Sequence, residues 1–223
     1  MKAKFSYKDS NFIVRTETSD SFVVKEVLGG AYNKLKISKN DICLDIGLNI
    51  GAFSVMASKK CKFVYGYEPN IENFDLAKKN LIINNCINTK IFNKAVIGDD
   101  DEVRSFSVNV KKNKGAHSLI AKKGRDHSLV NCININKIIL DYKPTIMKMD
   151  TEGAEYESLK AISNFDNFRE IIFEFHHAHL NDIVTREKYT DLIEYLKPRF
   201  DHVDYRKETK GAWVTNVYCK NNK

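Results

Sequence analysis

Two stretches of this 223-residue chain carry side chains whose types and spacing suit chemistry at the edge of a sheet. The first is Asp45-Ile46-Gly47-Leu48-Asn49-Ile50-Gly51, a glycine turn that grows out of the apolar run Ile42–Ile46. A glycine there lets the backbone come close to a ligand, at the strand edge where doubly wound sheets bind theirs. A dinucleotide site would want G-x-G-x-x-G, so that a pyrophosphate can sit on the following helix. Only Gly47 and Gly51 are present, and Asp45 puts a carboxylate where diphosphate oxygens would lie. That charge suits a cationic ligand, and an adenosyl sulfonium with its ammonium group fits better than a nicotinamide dinucleotide. About 20 residues further on, Glu68 closes a second apolar run, where an acid hydrogen-bonds the two hydroxyls of a ribose. Taken alone, Glu68 would be an exposed acid capping the helix after Pro69.

The second stretch is Lys148-Met149-Asp150-Thr151-Glu152-Gly153-Ala154-Glu155, together with Glu174, His176, His177 and His179. Asp150 ends one apolar run and Glu174 lies near the end of the next, so neighbouring parallel strands would bring them face to face across a cleft. Glu174 and His176 share one face of an extended strand. Methyl transfer from a sulfonium is an in-line displacement in which the protein mainly positions the reactants. A hydroxyl acceptor gains from a base, typically about 10²–10⁴-fold, and Asp150 or His176 is the candidate. Glu152 and Glu174 are expected on the acceptor side. The same Asp150, Glu174 and His176 could hold a hard divalent cation as a Lewis acid. With no helix-spaced H-x-x-x-H or H-x-x-E-H pair, the plainer reading is no metal and hydrogen bonds to the acceptor. Glu155 stands three residues from Glu152 at a helix start, where the helix dipole alone would be reason enough for an acid.

These residues need a sheet to hold them. From residue 40 onward, short apolar runs alternate with helical segments, which is the pattern of βαβ units. Strands are expected at Ile42–Ile46, Lys62–Tyr67, Lys90–Ile97, Thr145–Met149 and Glu170–Phe175. Helices are expected over Ala52–Lys59 and Ile71–Ile83, from about Gly153, and over Arg186–Leu196. In the second of these, Phe74, Leu76, Leu81 and Ile82 are available for burial. Residues 102–133 are less regular, with strands near Val103–Val110 and Ser128–Ile133. Phe200–Tyr205 and Ala212–Cys219 read as a closing antiparallel hairpin. At the start, Lys4–Tyr7 and Phe12–Thr16 flank a turn, and Asp20-Ser21 caps a helix ended near Gly29-Gly30. The predicted fold is α/β, a doubly wound Rossmann-like sheet with an antiparallel last strand. Residues 1–39 would pack as hairpin and helix on a single globular unit over 40–223. Beyond the third strand, Asn93 or the backbone near Ala95 is the expected contact for an adenine. Phe53 is assigned to the donor or the core, Trp213 to the core or a cleft wall, and His117, His127 and His202 to surface or loops.

Lys+Arg 36 against Asp+Glu 29 leave a formal +7, which raises nucleic acid, membrane or an anionic substrate as partners. Six of those basic residues and no acid fall within 111–125, so the rest of the chain holds 30 against 29. The clusters Lys111-Lys112-Asn113-Lys114-Gly115 and Lys122-Lys123-Gly124-Arg125 are placed over the ligand edge, as a solvated loop or a clamp for an anionic acceptor. Aromatic residues are not interleaved, which speaks against a nucleic-acid groove. Five cysteines without a CxxC pair give neither a disulfide frame nor a cysteine zinc site. No run approaches about 18 apolar residues, so no membrane span is expected, and Met1–Phe5 leads into charged sequence rather than a signal. A reduced, cytoplasmic setting follows, with no oligomeric state assigned.

The Asp45–Gly51 turn, Glu68-Pro69-Asn70 and the Lys148–Glu155 segment, in that order and spacing, resemble the FkbM family of S-adenosylmethionine-dependent methyltransferases. The resemblance runs from about residue 20 to the C-terminus. Its D-x-E-G-x-E segment is the most diagnostic part, since the other two motifs are shared across many methyltransferases. Thr151 stands where Val or Ile is more usual. The resemblance implies a seven-stranded methyltransferase sheet, S-adenosylmethionine as donor, and O-methylation of a sugar or natural-product hydroxyl. Ser118 matches a serine common in the family and is expected to shape the acceptor pocket. On this reading Asp45, Gly47, Asn49, Gly51, Glu68 and Asn93 bind the donor. Glu152, Glu174 and Ser118 bind a small-molecule or oligosaccharide acceptor, a sugar in a glycan, glycolipid or nucleotide-sugar. Two competing readings are an RNA methyltransferase, suggested by a pI near 9.0, and a non-catalytic donor- or sugar-binding module. Against the first, no N-P-P-Y-type tetrapeptide follows the fourth strand.

Overall fold

A computed structural model describes residues 1–108, 117–119, 126–177, 183–207 and 212–222. The basic clusters at 111–115 and 122–125, and His179, lie outside the described residues. The chain opens with a hairpin, β1 (Lys2–Tyr7) and β2 (Ser10–Arg15), then α1 (Asp20–Glu26), which widens into a π-helical turn over Val27–Ala31. Next come β3 (Ile42–Ile46), α2 (Ala52–Ser58), β4 (Phe63–Tyr67), α3 (Ile71–Ile83) and β5 (Thr89–Phe92). A side branch follows, of β6 (Ala95–Ile97), β7 (Val103–Val108), β8 (Asp126–Asn134) and α4 (Ile135–Tyr142). The chain returns through β9 (Ile146–Met149), α5 (Glu155–Lys160), β10 (Glu170–His176) and α6 (Ile183–Leu196), and closes with β11 (His202–Asp204) and β12 (Val214–Lys220).

The main sheet has seven strands in the order β11-β12-β10-β9-β3-β4-β5. β10, β9, β3, β4 and β5 are parallel, and β12 runs antiparallel to both its neighbours. A parallel strand buried on both faces reads as a continuous apolar run, and its residues alternate between two helix layers. The core follows that alternation. Leu44, Ile46, Met147, Met149, Ile171 and Phe173 face α4, α5 and α6, whereas Cys43, Val64, Ile146 and Ile172 face α2, α3 and the N-terminal segment. Phe12, Val14, Val24, Val27, Leu28 and Tyr32 belong to that second apolar cluster, so the hairpin and α1 are built into the core.

The expected third strand, Lys90–Ile97, is two strands. Asn93 turns the chain by donating to the backbone oxygens of Glu68 (2.8 Å) and Pro69 (2.9 Å). Beyond it, β6 leaves the main sheet and joins a small sheet in the order β6-β8-β7. Helix α4 was passed over in the sequence, although Ile135, Ile138 and Ile139 repeat at helical spacing and the Asn134 side chain caps Asn136 N at 2.8 Å. Asp20 does not cap α1. Its carboxylate instead takes a two-point contact from Arg15, at 2.9 Å to each oxygen.

The buried face of α3 also differs from expectation, for Ile82 is 69% exposed and Phe74 half-buried, while Asn73 and Asn80 are inside. Asn80 accepts from Ile13 N (2.7 Å) and donates to Ile13 O (3.3 Å) and Ile50 O (2.9 Å). One turn later, Asn84 accepts from Asn11 N (3.0 Å) and donates to Asn11 O (2.6 Å). Four helical residues rise about 6 Å and two strand residues about 6.7 Å, so one turn of asparagines keeps step with every second residue of β2. The two side-chain amides do for β2 what a neighbouring strand would.

Candidate active site

The C-terminal ends of β3 and β9 lie side by side, and the site is built on the two turns that leave them. Gly47 has φ 80°, and a Cβ there would stand 1.7 Å from the Asp150 carbonyl oxygen. The glycine is therefore demanded first by the closeness of the two turns and not by a ligand. Asn49 takes a left-handed φ of 52°, which asparagine tolerates, and its backbone N donates to Glu68 Oε2 at 2.8 Å. Glu68 Oε1 accepts from Asn70 N at 2.9 Å. Burial pushes the Glu68 carboxyl up to about 7 against the opposing pull of those two N–H groups.

A cleft runs from Asp150, Thr151 and Glu152 past Gly47, Asn49 and Glu68 to Ala95, Val96 and His117. His117, expected at the surface, is buried against Phe106, with ring centres 5.9 Å apart. Three of the residues assigned to the donor do not line this cleft. Asn93 holds the Glu68 turn from behind, Gly51 opens α2 with φ 87°, and Asp45 is wholly buried below the floor. Asp45 accepts from Ser54 Oγ at 2.7 Å and lies 3.4 Å from Lys148 Nζ. Its charge faces a lysine rather than a ligand, which revises the reasoning from charge alone.

Lys148 is a site residue that the sequence reading missed. It donates to Gly47 O at 2.7 Å, lies 4.0 Å from Asp150 Oδ2, and sits 5.7 Å from the Tyr32 ring centre. Burial works to lower its ammonium, but Asp45, Asp150 and Glu174 outweigh it and hold the group above the ordinary lysine value. The signal was available: a lysine inside Ile146-Met147-Lys148-Met149, a run otherwise wholly apolar, is buried only with partners.

A second cleft shares Gly47, Asn49, Asp150 and Glu152 with the first and is walled by Phe22, Tyr32, Glu174 and His176. Glu155 is its anchor. Buried at the start of α5, Glu155 accepts at Oε1 from Thr151 N (2.9 Å), Thr151 Oγ1 (2.8 Å) and Gly153 N (3.1 Å) and meets His176 Nδ1 at 3.1 Å. The threonine that departs from the family's usual apolar residue thus hydrogen-bonds the acid that shapes the turn. His176 Nε2 is left facing Asp150 Oδ1 and Glu152 Oε1, each at 3.8 Å. Burial opposes its charge, yet Glu155, Asp150 and Glu152 raise the imidazole to about 10. A histidine that keeps its proton at neutral pH is a poor base, so of the two candidates Asp150, 31% exposed at the junction of both clefts, is the better placed.

Glu174 accepts from Tyr32 Oη at 2.8 Å, and burial followed by the nearby Asp150 lifts its carboxyl to about 7. Ser118 is buried and donates from Oγ to Glu152 O at 2.7 Å, so it braces the Glu152 turn and lines neither cleft. Trp213 is neither core nor cleft wall, being 58% exposed.

A reversed strand in a seven-stranded sheet, with an acid at the tip of β4 beside a glycine turn on β3, defines the class: a Rossmann-like methyltransferase. Residues 45–207 match the methyltransferase FkbM domain, and the chain belongs to that family. The solved methyltransferase FkbM from Methylobacillus flagellatus shares the fold with a TM-score of 0.53 at 20% identity, covering 84% of this chain and 45% of that one. A probable cobalt-precorrin-6B C(15)-methyltransferase (decarboxylating) of Methanococcus vannielii is 29% identical over 128 residues, 56% of this chain and 68% of that one. The hexuronic acid methyltransferase AglP of Haloferax volcanii is 25% identical over 139 residues, 62% of this chain and 57% of its own length.

The family implies S-adenosylmethionine as donor, and the first cleft fits such a molecule. Among the described residues, Asn49 Oδ1 is buried there without a hydrogen-bond partner, next to the Glu68 carboxylate. An acceptor amide beside a carboxylate suits a ligand that brings an ammonium and two ribose hydroxyls as donors. No helix among the described residues is long and apolar enough to cross a membrane.

Proposed function

We propose that the protein transfers a methyl group from S-adenosylmethionine to a hydroxyl oxygen of a sugar, in a glycan, glycolipid or nucleotide-sugar, within the cytoplasm. The observation that carries this reading is the meeting of two clefts at Asp150 and Glu152, one fitted to the donor and the other lined by acids. When bound, the donor supplies an electrophilic methyl group on sulfur. Glu68 and Asn49 hold its ribose and amino-acid ends, and the backbone near Ala95 meets the adenine. Asp150 accepts the proton of the acceptor hydroxyl, while His176, kept charged and locked by Glu155, orients the Asp150 carboxylate. Residues 1–39 act as a wall of the acceptor cleft mounted on the catalytic unit of 40–223.

Three carboxylates, Asp150, Glu152 and Glu174, line the reacting end, and their field favours a neutral, hydroxyl-rich group over phosphate or a polycarboxylate. The relation to a hexuronic acid methyltransferase supports a sugar acceptor. The test is incubation with labelled donor and a panel of free sugars, nucleotide-sugars, oligosaccharides, a tetrapyrrole precursor and RNA. Label on a sugar oxygen is expected, and label on RNA or tetrapyrrole alone would overturn the reading.

A further inference from the structure

We propose that Asp150, Glu174 and His176 form a binding site for one divalent cation of the Mg²⁺ or Mn²⁺ kind at the head of the acceptor cleft. The three side chains come from the ends of two adjacent strands, and one donor atom of each lies within 4.8 Å of the other two. Metal–oxygen bonds of about 2.1–2.4 Å put opposite ligands about 4.2–4.8 Å apart and neighbouring ones closer, so the set closes on an ion with small side-chain adjustments.

Two groups outside the set prepare it. Glu155, only 1% exposed, meets His176 Nδ1 at 3.1 Å and fixes the plane of the ring, so that an arriving ion displaces the Nε2 proton to solvent and takes that nitrogen as its ligand. An imidazole that ligates a metal is held by a carboxylate in this way as a rule. Tyr32 Oη occupies Glu174 Oε1 at 2.8 Å and leaves Oε2 for the ion. Lys148 Nζ, 4.0 Å from Asp150 Oδ2, gives its hydrogen bond to Gly47 O and stands closer to Asp45, at 3.4 Å. Two carboxylates with one imidazole match manganese or magnesium better than zinc, for which sulfur and several histidines are more usual.

All three ligands lie on the protein side of the cleft, so the remaining coordination positions face the acceptor. A hydroxyl bound there becomes more acidic, which eases the passage of its proton to the carboxylates of the cleft. This role rests on the sugar-hydroxyl reading; the binding itself does not.

The test measures Mn²⁺ on the full chain, stripped with a chelator, by electron paramagnetic resonance of the free ion and by calorimetry, with neither donor nor acceptor present. One saturable site is expected. Glu174→Gln and His176→Ala should each weaken it by more than about 10-fold, and Tyr32→Phe and Glu155→Gln, which remove only the supporting contacts, by roughly 10–100-fold or less. Asp141→Asn, an exposed acid on α4, should leave it unchanged. Circular dichroism and melting curves separate lost ligands from lost fold, and Tyr32→Phe keeps the question open to measurement if Glu155→Gln does not fold. No saturable binding up to about 1 mM Mn²⁺, or binding that survives both Glu174→Gln and His176→Ala, overturns the site. Because no methyl transfer is read, this result stands apart from the identity of the acceptor.

Discussion

At the scale of single residues, the proposed function gives Glu68 the donor and Asp150 the acceptor proton. Glu68→Ala removes the ribose contact and the acceptor of the Asn49 N–H, and donor affinity measured by calorimetry should fall by roughly 100-fold or more with the melting curve still cooperative. Unchanged affinity would take Glu68 out of the site. Asp150→Asn should abolish turnover while donor binding stays near normal, and equal loss of both would make Asp150 a donor or structural residue. Glu68 also makes a pH prediction. Its carboxyl is raised from 4.5 in an unfolded chain to about 7 in the folded one. Between those values the unfolded chain has released the proton and the folded chain has not, so this contribution to stability is complete below about pH 4.5 and is lost as pH rises through about 7. Chemical denaturation at steps between pH 4.5 and 8 should show wild type losing ground against Glu68→Gln; parallel curves would refute the shift. Glu68, Asp150, Glu174 and His176 were legible because acids and histidines at strand ends stand out against apolar runs. Asp45, Asn93 and Ser118 stand outside the lining of both clefts for a reason that the sequence hides. Their residue types suit ligand contacts, but their partners, Lys148, the Glu68 turn and the Glu152 carbonyl, are distant in sequence and known only once the strands are paired.

Elements carry two lessons. Four of the five parallel strands and the span of α3 were read closely from apolar runs and helical spacing, because buried strands declare themselves locally. The face of α3 could not be read this way. A helix rich in Ile and Phe suggests apolar burial, yet Asn80 and Asn84 turn inward because β2 presents unpaired backbone groups that need partners. Asn80→Ala is expected to destabilise the protein by roughly 2–4 kcal/mol in denaturant unfolding, since it strands Ile13 and Ile50 backbone groups away from water. A change below about 0.5 kcal/mol would mean that the hairpin re-pairs elsewhere. Helix α1 makes a kinetic prediction. Phe22 is 64% exposed on the wall of the acceptor cleft, and Phe22→Ala should raise KM for the acceptor several-fold with donor affinity unchanged. A fall in kcat alone would place Phe22 outside acceptor recognition.

For the whole molecule, the order β11-β12-β10-β9-β3-β4-β5 brings residues separated by more than 100 positions, such as Gly47 and Asp150, to one point. Alternating βα units announce such a sheet in the sequence. The side branch between β5 and β9 does not follow that alternation, and there the reading lost a strand break and α4. The net charge of +7 has little bearing on the described site, where acids outnumber bases; the cations concentrate in 111–125, outside the described residues apart from 117–119.

The wall that α1 builds has an evolutionary consequence. The match to the methyltransferase FkbM domain begins at residue 45, after α1 and Tyr32 have already been laid down. One wall of the second cleft and the acids that face it thus come from separate lengths of chain. A lineage could exchange the first length for another of matching packing and reshape that one wall in a single recombination, leaving the acids of the facing wall in register.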